Sequence, residues 1–484
     1  MIVKRHPLYA AIMAATLFSQ AFISPASQAD TLLDVYELAL QNDPVLKAAE
    51  ANYRANIESE NIARSSLLPQ VVGEAYYEDA ETDSNRKSTT IAPDGMGGTT
   101  AAIIDQSSNT DSETEAYSVS LNQAIFNLPA WFSFKAGKAL SEQATAQLAY
   151  DQQDLIVRVS DAYFNVLRAR ENLDAAKAEE KAAQRQLEQT QQRFDVGLIA
   201  ITDVHEARAV YDTIVAQRLG FEGTLAIARE NLSTVTGQAH HNLWSLEDNF
   251  PIAMPEPADR AKWVDFALTN NHLLKAAGSG RDSAYQNARS KKMEHLPKIT
   301  GSLIYSKQDL DGSTTFNPTS SFATPPDSYT ETEAARITLT VPLFAGGGIS
   351  AARRQAYEQY NAAQQNSISV QRQVIAGTRA QHIAVNTDVQ TVKARKQNII
   401  SARSALDATE AGYEVGTRNI VDVLEAQRNL YAAIRDYTNA RYDYVLDVLK
   451  LKQNAGTLSP ADINELNKWL SAPTAPTVSD RVSS

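Results

Sequence analysis

One twelve-residue frame, V-G-x-x-x-I-x-D-V-x-E-A, occurs twice in this chain, 219 residues apart. The first copy runs Val196-Gly197-Leu198-Ile199-Ala200-Ile201-Thr202-Asp203-Val204-His205-Glu206-Ala207. The second runs Val415-Gly416-Thr417-Arg418-Asn419-Ile420-Val421-Asp422-Val423-Leu424-Glu425-Ala426. Each copy sits in a long stretch without proline, between Pro129 and Pro251 and between Pro342 and Pro460. A proline in a helix interior costs about 3 kcal/mol, so these gaps are where very long helices fit. The chain reads as a duplicated helical hairpin with glycine at each tip.

The helical period supports this. From Ala130 to Val196 a continuous helix would extend about 100 Å at the α-helical rise. Beyond the first glycine, Val204, Tyr211, Arg218, Leu225 and Leu232 recur every seven residues, as do Ala207, Ile214, Phe221, Ala228 and Val235. Val423, Leu430, Tyr437, Tyr444 and Leu451 repeat the first series at the same offset. A seven-residue apolar period is the signature of left-handed coiled-coil packing.

Each half opens with a shorter helical segment followed by alternation. Residues 32–66 read as one helix that Pro69 ends. Then Val71, Gly73, Ala75 and Tyr77 point one way, and Gln70, Glu74 and Glu78 the other. The stretch from Asp79 to Glu113 has no period and reads as a polar loop. Alternation resumes at Tyr117, Val119 and Leu121. In the second half Ile299, Gly301, Leu303 and Tyr305 alternate, a polar loop is expected from Lys307 to Thr332, and Ile337, Leu339, Val341 and Leu343 form the last strand. Four strands of about 9–11 alternating residues suit either a tilted membrane strand or one half-buried soluble sheet. Four strands cannot close a barrel alone, so a barrel would need several chains.

Trp131, Phe132 and Phe134 follow the second strand and suit either an interfacial girdle or a strand-to-helix corner. The matching corner, Phe344-Ala345-Gly346-Gly347-Gly348, lacks the Lys-Ser/Thr of a phosphate loop; its glycines suit a change of direction.

At the N-terminus Lys4 and Arg5 precede an apolar run from Leu8 to Ile23 and the small residues Ser27 and Ala29, a secretory signal cleaved before Asp30. Its removal takes the formal charge from −12 to −14, which argues against nucleic-acid binding. The chain has no cysteine, hence no disulfide and no acylated N-terminal Cys. No later run of apolar residues is long enough for a spanning helix, so any membrane crossing must be by β-barrel. The expected domains are a signal peptide at 1–29, a first repeat at 30–250, a second repeat at 251–470 and a disordered tail at 471–484. Gln238 to Lys262, with Pro251, Pro255 and Pro257, read as the linker between the repeats.

These features resemble the TolC family of outer-membrane channels. The resemblance covers Thr31 to Leu470 and is most specific from Arg193 to Ala216 and from Gly412 to Tyr442. It implies an α+β membrane protein: a homotrimeric 12-stranded β-barrel, four strands per chain, continuous with a helical periplasmic tunnel. It further implies an exit duct in the outer membrane lipid, for efflux or type I secretion, partnered by a periplasmic adaptor and an inner-membrane transporter. Residue by residue, it assigns a gate to Thr202, Asp203, Tyr413 and Arg418, with Gln189, Glu410 and Arg441 near the same entrance. It assigns a cation-selective ring to Asp422 and Glu425, the second being Glu where the family pattern has Asp. Adaptor-docking tips fall at Val196-Gly197-Leu198 and Val415-Gly416-Thr417.

Plain structural roles compete for these residues. Asp203/Glu206 and Asp422/Glu425 fit capping boxes. The glycines fit turns of positive φ. Enzyme chemistry finds no support: His240-His241 have no carboxylate at metal-ligand spacing, and no nucleophile elbow or H-E-x-x-H occurs. No cofactor is expected. The competing functional class is a secreted coiled-coil scaffold with a small soluble sheet.

Overall fold

The computed structural model describes residues 30–93, 95–317 and 327–472. The predicted signal peptide, and the predicted tail from 473 onward, lie outside these residues. The first half runs α1 (Leu32–Asn42), α2 (Pro44–Ser65), β1 (Gln70–Pro93), β2 (Thr99–Phe126), α3 (Leu128–Asp195) and α4 (Ile201–Thr236). After β3 (Ser245–Leu246) the order repeats: α5 (Arg260–Asn270), α6 (His272–Met293), β4 (Lys298–Asn317), β5 (Ser328–Thr340), α7 (Gly348–Glu414) and α8 (Ile420–Ala455). The chain closes with α9 (Pro460–Asn467) and β6 (Leu470–Ser471).

The segment 32–66 is two helices rather than one. Asp43 breaks it: its backbone is extended and its carboxylate accepts the Leu46 N–H at 2.9 Å, starting a new helix at Pro44. Arg158 of α3 holds the same carboxylate at 2.7 Å, which keeps an almost fully buried Asp charged. In the second half Asn271 does the same work without a proline, accepting the Leu274 N–H at 2.9 Å. A short side-chain acceptor, not Pro alone, sets the break.

The four long strands form one antiparallel sheet in the order β1-β2-β4-β5. The register carries Val71 beside Leu121, Leu121 beside Leu303 and Leu303 beside Ala335, so the apolar positions share one face. Gln70, Asn122, Ser302 and Arg336 line up on the other. The outer edges of β1 and β5 pair with nothing among the described residues.

The polar stretches expected as loops are largely strand. β1 and β2 stay paired from Gln70↔Asn122 to Pro93↔Thr99, and β4 extends to Asn317. Cross-strand polar contacts support this ribbon: Asn109 Nδ2 donates to Glu81 and Asp83 at 2.9 Å each, and the Thr110 and Thr314 hydroxyls are 3.1 Å apart. With water on both faces, no apolar alternation is needed to hold the pairing.

Below the sheet, α3 and α7 each run for nearly seventy residues and return through α4 and α8. The main apolar core joins α1, α3, α8 and α9 around Tyr163, Phe164, Leu167, Tyr442, Leu446 and Leu449. The inter-repeat linker wraps this core. The Tyr163 hydroxyl donates to Trp244 O at 2.8 Å, that of Tyr444 to Ala253 O at 2.8 Å, and β3 pairs with β6. Ser471, the first residue of the expected tail, is therefore part of a strand.

Candidate functional site

The two hairpin tips share one construction. At the end of α3, Gly197 adopts φ +76; its N–H reaches Phe194 O at 2.8 Å and the Leu198 N–H reaches Arg193 O at 2.9 Å. At the end of α7, Gly416 adopts φ +79; its N–H reaches Tyr413 O at 3.1 Å and the Thr417 N–H reaches Gly412 O at 2.8 Å. This is the Schellman termination, which needs a left-handed residue. It pushes apolar side chains outward: Val196, Leu198 and Val415 are 71%, 72% and 75% exposed.

The tips lie side by side because α4 and α8 pack together. Ala207, Ile420 and Leu424 form a small core, flanked by Leu187, Val210 and Tyr413. A cleft of about 660 Å³ opens between α3 and α7, lined by Gln186, Gln189, Gln192, Arg193, Glu410, Tyr413 and Glu414. The Arg193 guanidinium stacks 4.9 Å from the Tyr413 ring centroid. The Tyr413 hydroxyl is shielded from solvent and has no hydrogen-bond partner among the described residues. Glu410 has its carboxyl pushed up by burial, then by the nearby Asp407 and Glu414.

Arg418 folds back over Gly412, where a Cβ would meet the arginine Cγ at 2.8 Å. Its Nη1 comes only within 3.8 Å of Asp422; the arginine is exposed and the aspartate half-buried. Thr202 and Asp203 sit in the first turn of α4, joined to each other at 3.3 Å. Neither is bonded to Tyr413 or Arg418 among the described residues, so within one chain the two predicted sides of the gate are not joined.

The capping boxes are not where the sequence suggested. Asn419, not Asp422, caps α8: its side chain accepts the Asp422 N–H at 2.8 Å and Asp422 accepts the Asn419 N–H at 3.3 Å. Asp422 is thus the third residue of the helix and Glu425 lies one turn on, exposed and outside the box. In the first repeat Ala200 occupies the cap position and no side chain caps α4. Asp203 and Glu206 therefore form no box, because Ala200 offers no acceptor where Asn419 does.

Arg441 departs from its expected place. It is buried against the linker, paired with Asp248 at 3.0 Å and with the Glu247 carbonyl. It lies 19 residues along α8 from Asp422, about 28 Å at the helical rise, far from the entrance. Arg193 is the converse case: it lies three residues before the first copy of the recurrent motif, and its partner Tyr413 comes from the other repeat.

A sheet with one apolar face, stacked on long helical hairpins that end in a polar cleft, is the architecture of an outer-membrane exit duct. Comparison with known proteins agrees. The family described as "Outer membrane efflux protein" matches residues 35–238 and 263–457. Outer membrane protein TolC of Vibrio cholerae is 36% identical, over 93% of this chain and 95% of its own. Alkaline protease secretion protein AprF of Pseudomonas aeruginosa is 27% identical, over 89% of this chain and 85% of its own. The crystal structure of the Campylobacter jejuni CmeC outer membrane channel superimposes with a TM-score of 0.68, covering 91% of this chain and 90% of that one, at 17% identity. The chain belongs to the outer membrane efflux protein family. It is a transport conduit in the outer membrane and not an enzyme.

Proposed function

We propose that three copies of this chain assemble into a gated duct that opens when a periplasmic adaptor and an inner-membrane transporter dock. The observation that carries this reading is the pair of open sheet edges on a four-stranded sheet. Edge β1 can pair with β5 of the next chain; three such junctions join twelve strands and leave no edge, which lipid requires. The division into two repeats, 30–250 and 251–470, then gives the tunnel six equivalent hairpins. Their six tips supply the docking surface, through Val196-Gly197-Leu198 and Val415-Gly416-Thr417. Relatives named for efflux and for protease secretion support both kinds of cargo.

The gate lies between chains. Tyr413 has a shielded hydroxyl without a partner, and Arg418 has a guanidinium held only loosely by Asp422. Thr202 and Asp203 of a neighbouring chain provide a hydroxyl, a carboxylate and the right complement of acceptors. Each bond is worth about 1–3 kcal/mol, and three-fold repetition holds a closure that a docked partner can still open. Asp422 and Glu425, one turn apart on α8, stack two carboxylate rings at the entrance and favour cations.

Single-channel conductance in planar bilayers tests the gate. The wild-type protein is expected to give a small conductance that rises severalfold in the Tyr413→Phe, Arg418→Ser double variant. Equal conductances would remove these residues from the gate. Failure of folded protein to insert would favour the secreted scaffold.

A further inference from the structure

The helices that leave the sheet begin in a basic collar, although the whole chain carries a charge of −12. Lys135 and Lys138 lie in the first three turns of α3, and Arg353 and Arg354 in the first two of α7. Neither first turn holds an acid, and the earliest carboxylates are Glu142 and Glu358. None of the four cations has a carboxylate partner among the described residues, whereas Arg158, Arg218 and Arg435, further down the helices, are all paired. Helix electrostatics do not account for them, since the macrodipole favours anions at this end and its effect fades within the first turn.

The α3 group has a defined geometry. Trp131, Phe134, Lys135 and Lys138 are spaced i, i+3, i+4, i+7, so they share one face. The Trp131 and Phe134 rings are 5.7 Å apart, and the Lys135 ammonium lies 5.4 Å from the Trp131 centroid. Trp131 is 44% exposed and Lys138 is exposed. Side chains on an α-helix tilt toward its N-terminus. The N-terminus of α3 follows directly from β2, so both lysines lean toward the sheet. Their Cα atoms lie about 10 and 15 Å below the helix start, and snorkelling stems bring the ammonium groups up to the headgroup layer.

We propose that this face of α3 docks anionic phospholipid headgroups of the inner leaflet, the phosphate sitting between Lys135 and Lys138 with Trp131 beside the glycerol. The proposal rests on the sheet being the membrane-spanning part. Charge complementarity commits it to an anionic lipid: two unpaired cations on an aromatic, membrane-flanking face have no other neutraliser among the described residues.

Trp131 reports directly on this site. Trp244, Trp263 and Trp469 belong to the core around Tyr163, about 48 Å further along α3, beyond reach of a lipid-borne quencher. The full-length protein is reconstituted in phosphatidylcholine vesicles containing phosphatidylcholine or phosphatidylglycerol brominated near the headgroup, at equal fractions. Brominated phosphatidylglycerol is expected to quench at the lower fraction, by about fivefold for each lysine engaged. Lys135→Gln, Lys138→Gln should equalise the two lipids, and Lys135→Arg, Lys138→Arg should keep the preference. Equal quenching in the wild type, or a preference that survives in the Gln variant, overturns the proposal while leaving the sheet in the membrane. Quenching by neither lipid overturns the membrane reading and the proposal together.

Discussion

Asp388 on α7 illustrates what one residue decides in the tunnel wall. Burial, then Asp447 and Asp443 of α8, push its carboxyl from 3.8 up to about 6, only partly offset by Lys450. One of its oxygens is shielded and unpartnered. A carboxyl raised in the fold contributes stability when protonated, in full below about pH 4, and loses it as pH rises through about 6. At neutral pH the ionised group is a liability. Asp388→Asn is therefore expected to stabilise the protein at pH 7 by about 1 kcal/mol, a figure reduced for the solvent the group still touches. It should also flatten the pH dependence of the unfolding midpoint between about pH 4 and 6; an unchanged slope would show that the fold does not raise the Asp388 carboxyl. None of this was legible in the sequence, where Asp388 and Asp447 are unremarkable polar positions on separate helices. The same holds for Arg193 over Tyr413: a motif names residues, but only the fold, which brings the ends of α3 and α7 to one cleft, makes them a pair.

At the scale of elements, two glycines at the same offset of 219 make unequal contributions. Gly237 ends α4 at φ +73 and Gly456 ends α8 at φ +71. A Cβ on Gly237 would meet only the Asn42 Cβ, at 3.6 Å, whereas on Gly456 it would meet the Asn270 backbone at 2.5 Å. Gly237→Ala should thus cost about 1 kcal/mol, the price of the left-handed conformation. Gly456→Ala adds a backbone clash and should cost about 2–3 kcal/mol. Thermal unfolding of the two variants side by side checks this; equal losses would mean that the α5–α6 corner yields easily. Long helices and their tips were readable because proline gaps, heptads and glycines are local signals. The upper strands were not, because an alternating pattern marks a sheet only where one face meets lipid or core. From Asp79 to Glu113 both faces meet water, so Ser, Thr, Asn and Asp serve equally on each, and the register is carried by cross-strand pairing that no single stretch records. The position of Arg441 was missed for a related reason: its partner Asp248 belongs to the linker, whose path around the core depends on every element it crosses.

For the whole molecule, the charge that matters is the charge that the proposed three-fold assembly would concentrate. A trimer would bring six carboxylates, from Asp422 and Glu425, to one narrow entrance. Fields focused in such a constriction raise local counter-ion concentration by about 10-fold or more, so the Asp422→Asn, Glu425→Gln variant should lose about that much cation selectivity. The two substitutions separate by mechanism. Glu425 is exposed and outside the capping box, so Glu425→Gln removes only charge and should lower selectivity without altering conductance in a closed channel. Asp422 also receives the Asn419 N–H and approaches Arg418 at 3.8 Å. Asparagine keeps an acceptor for that N–H, so α8 stays capped, but it releases Arg418. Asp422→Asn should therefore lower selectivity and also change conductance by altering the gate. Reversal potentials across a salt gradient read the first effect and single-channel amplitudes the second. The gradient must lie near 0.1 M, where the screening length is about 10 Å; at 1 M it falls to about 3 Å and hides the rings. Selectivity unchanged at low salt in both variants would place these carboxylates outside the permeation path and leave Asp422 only its place in the α8 capping box.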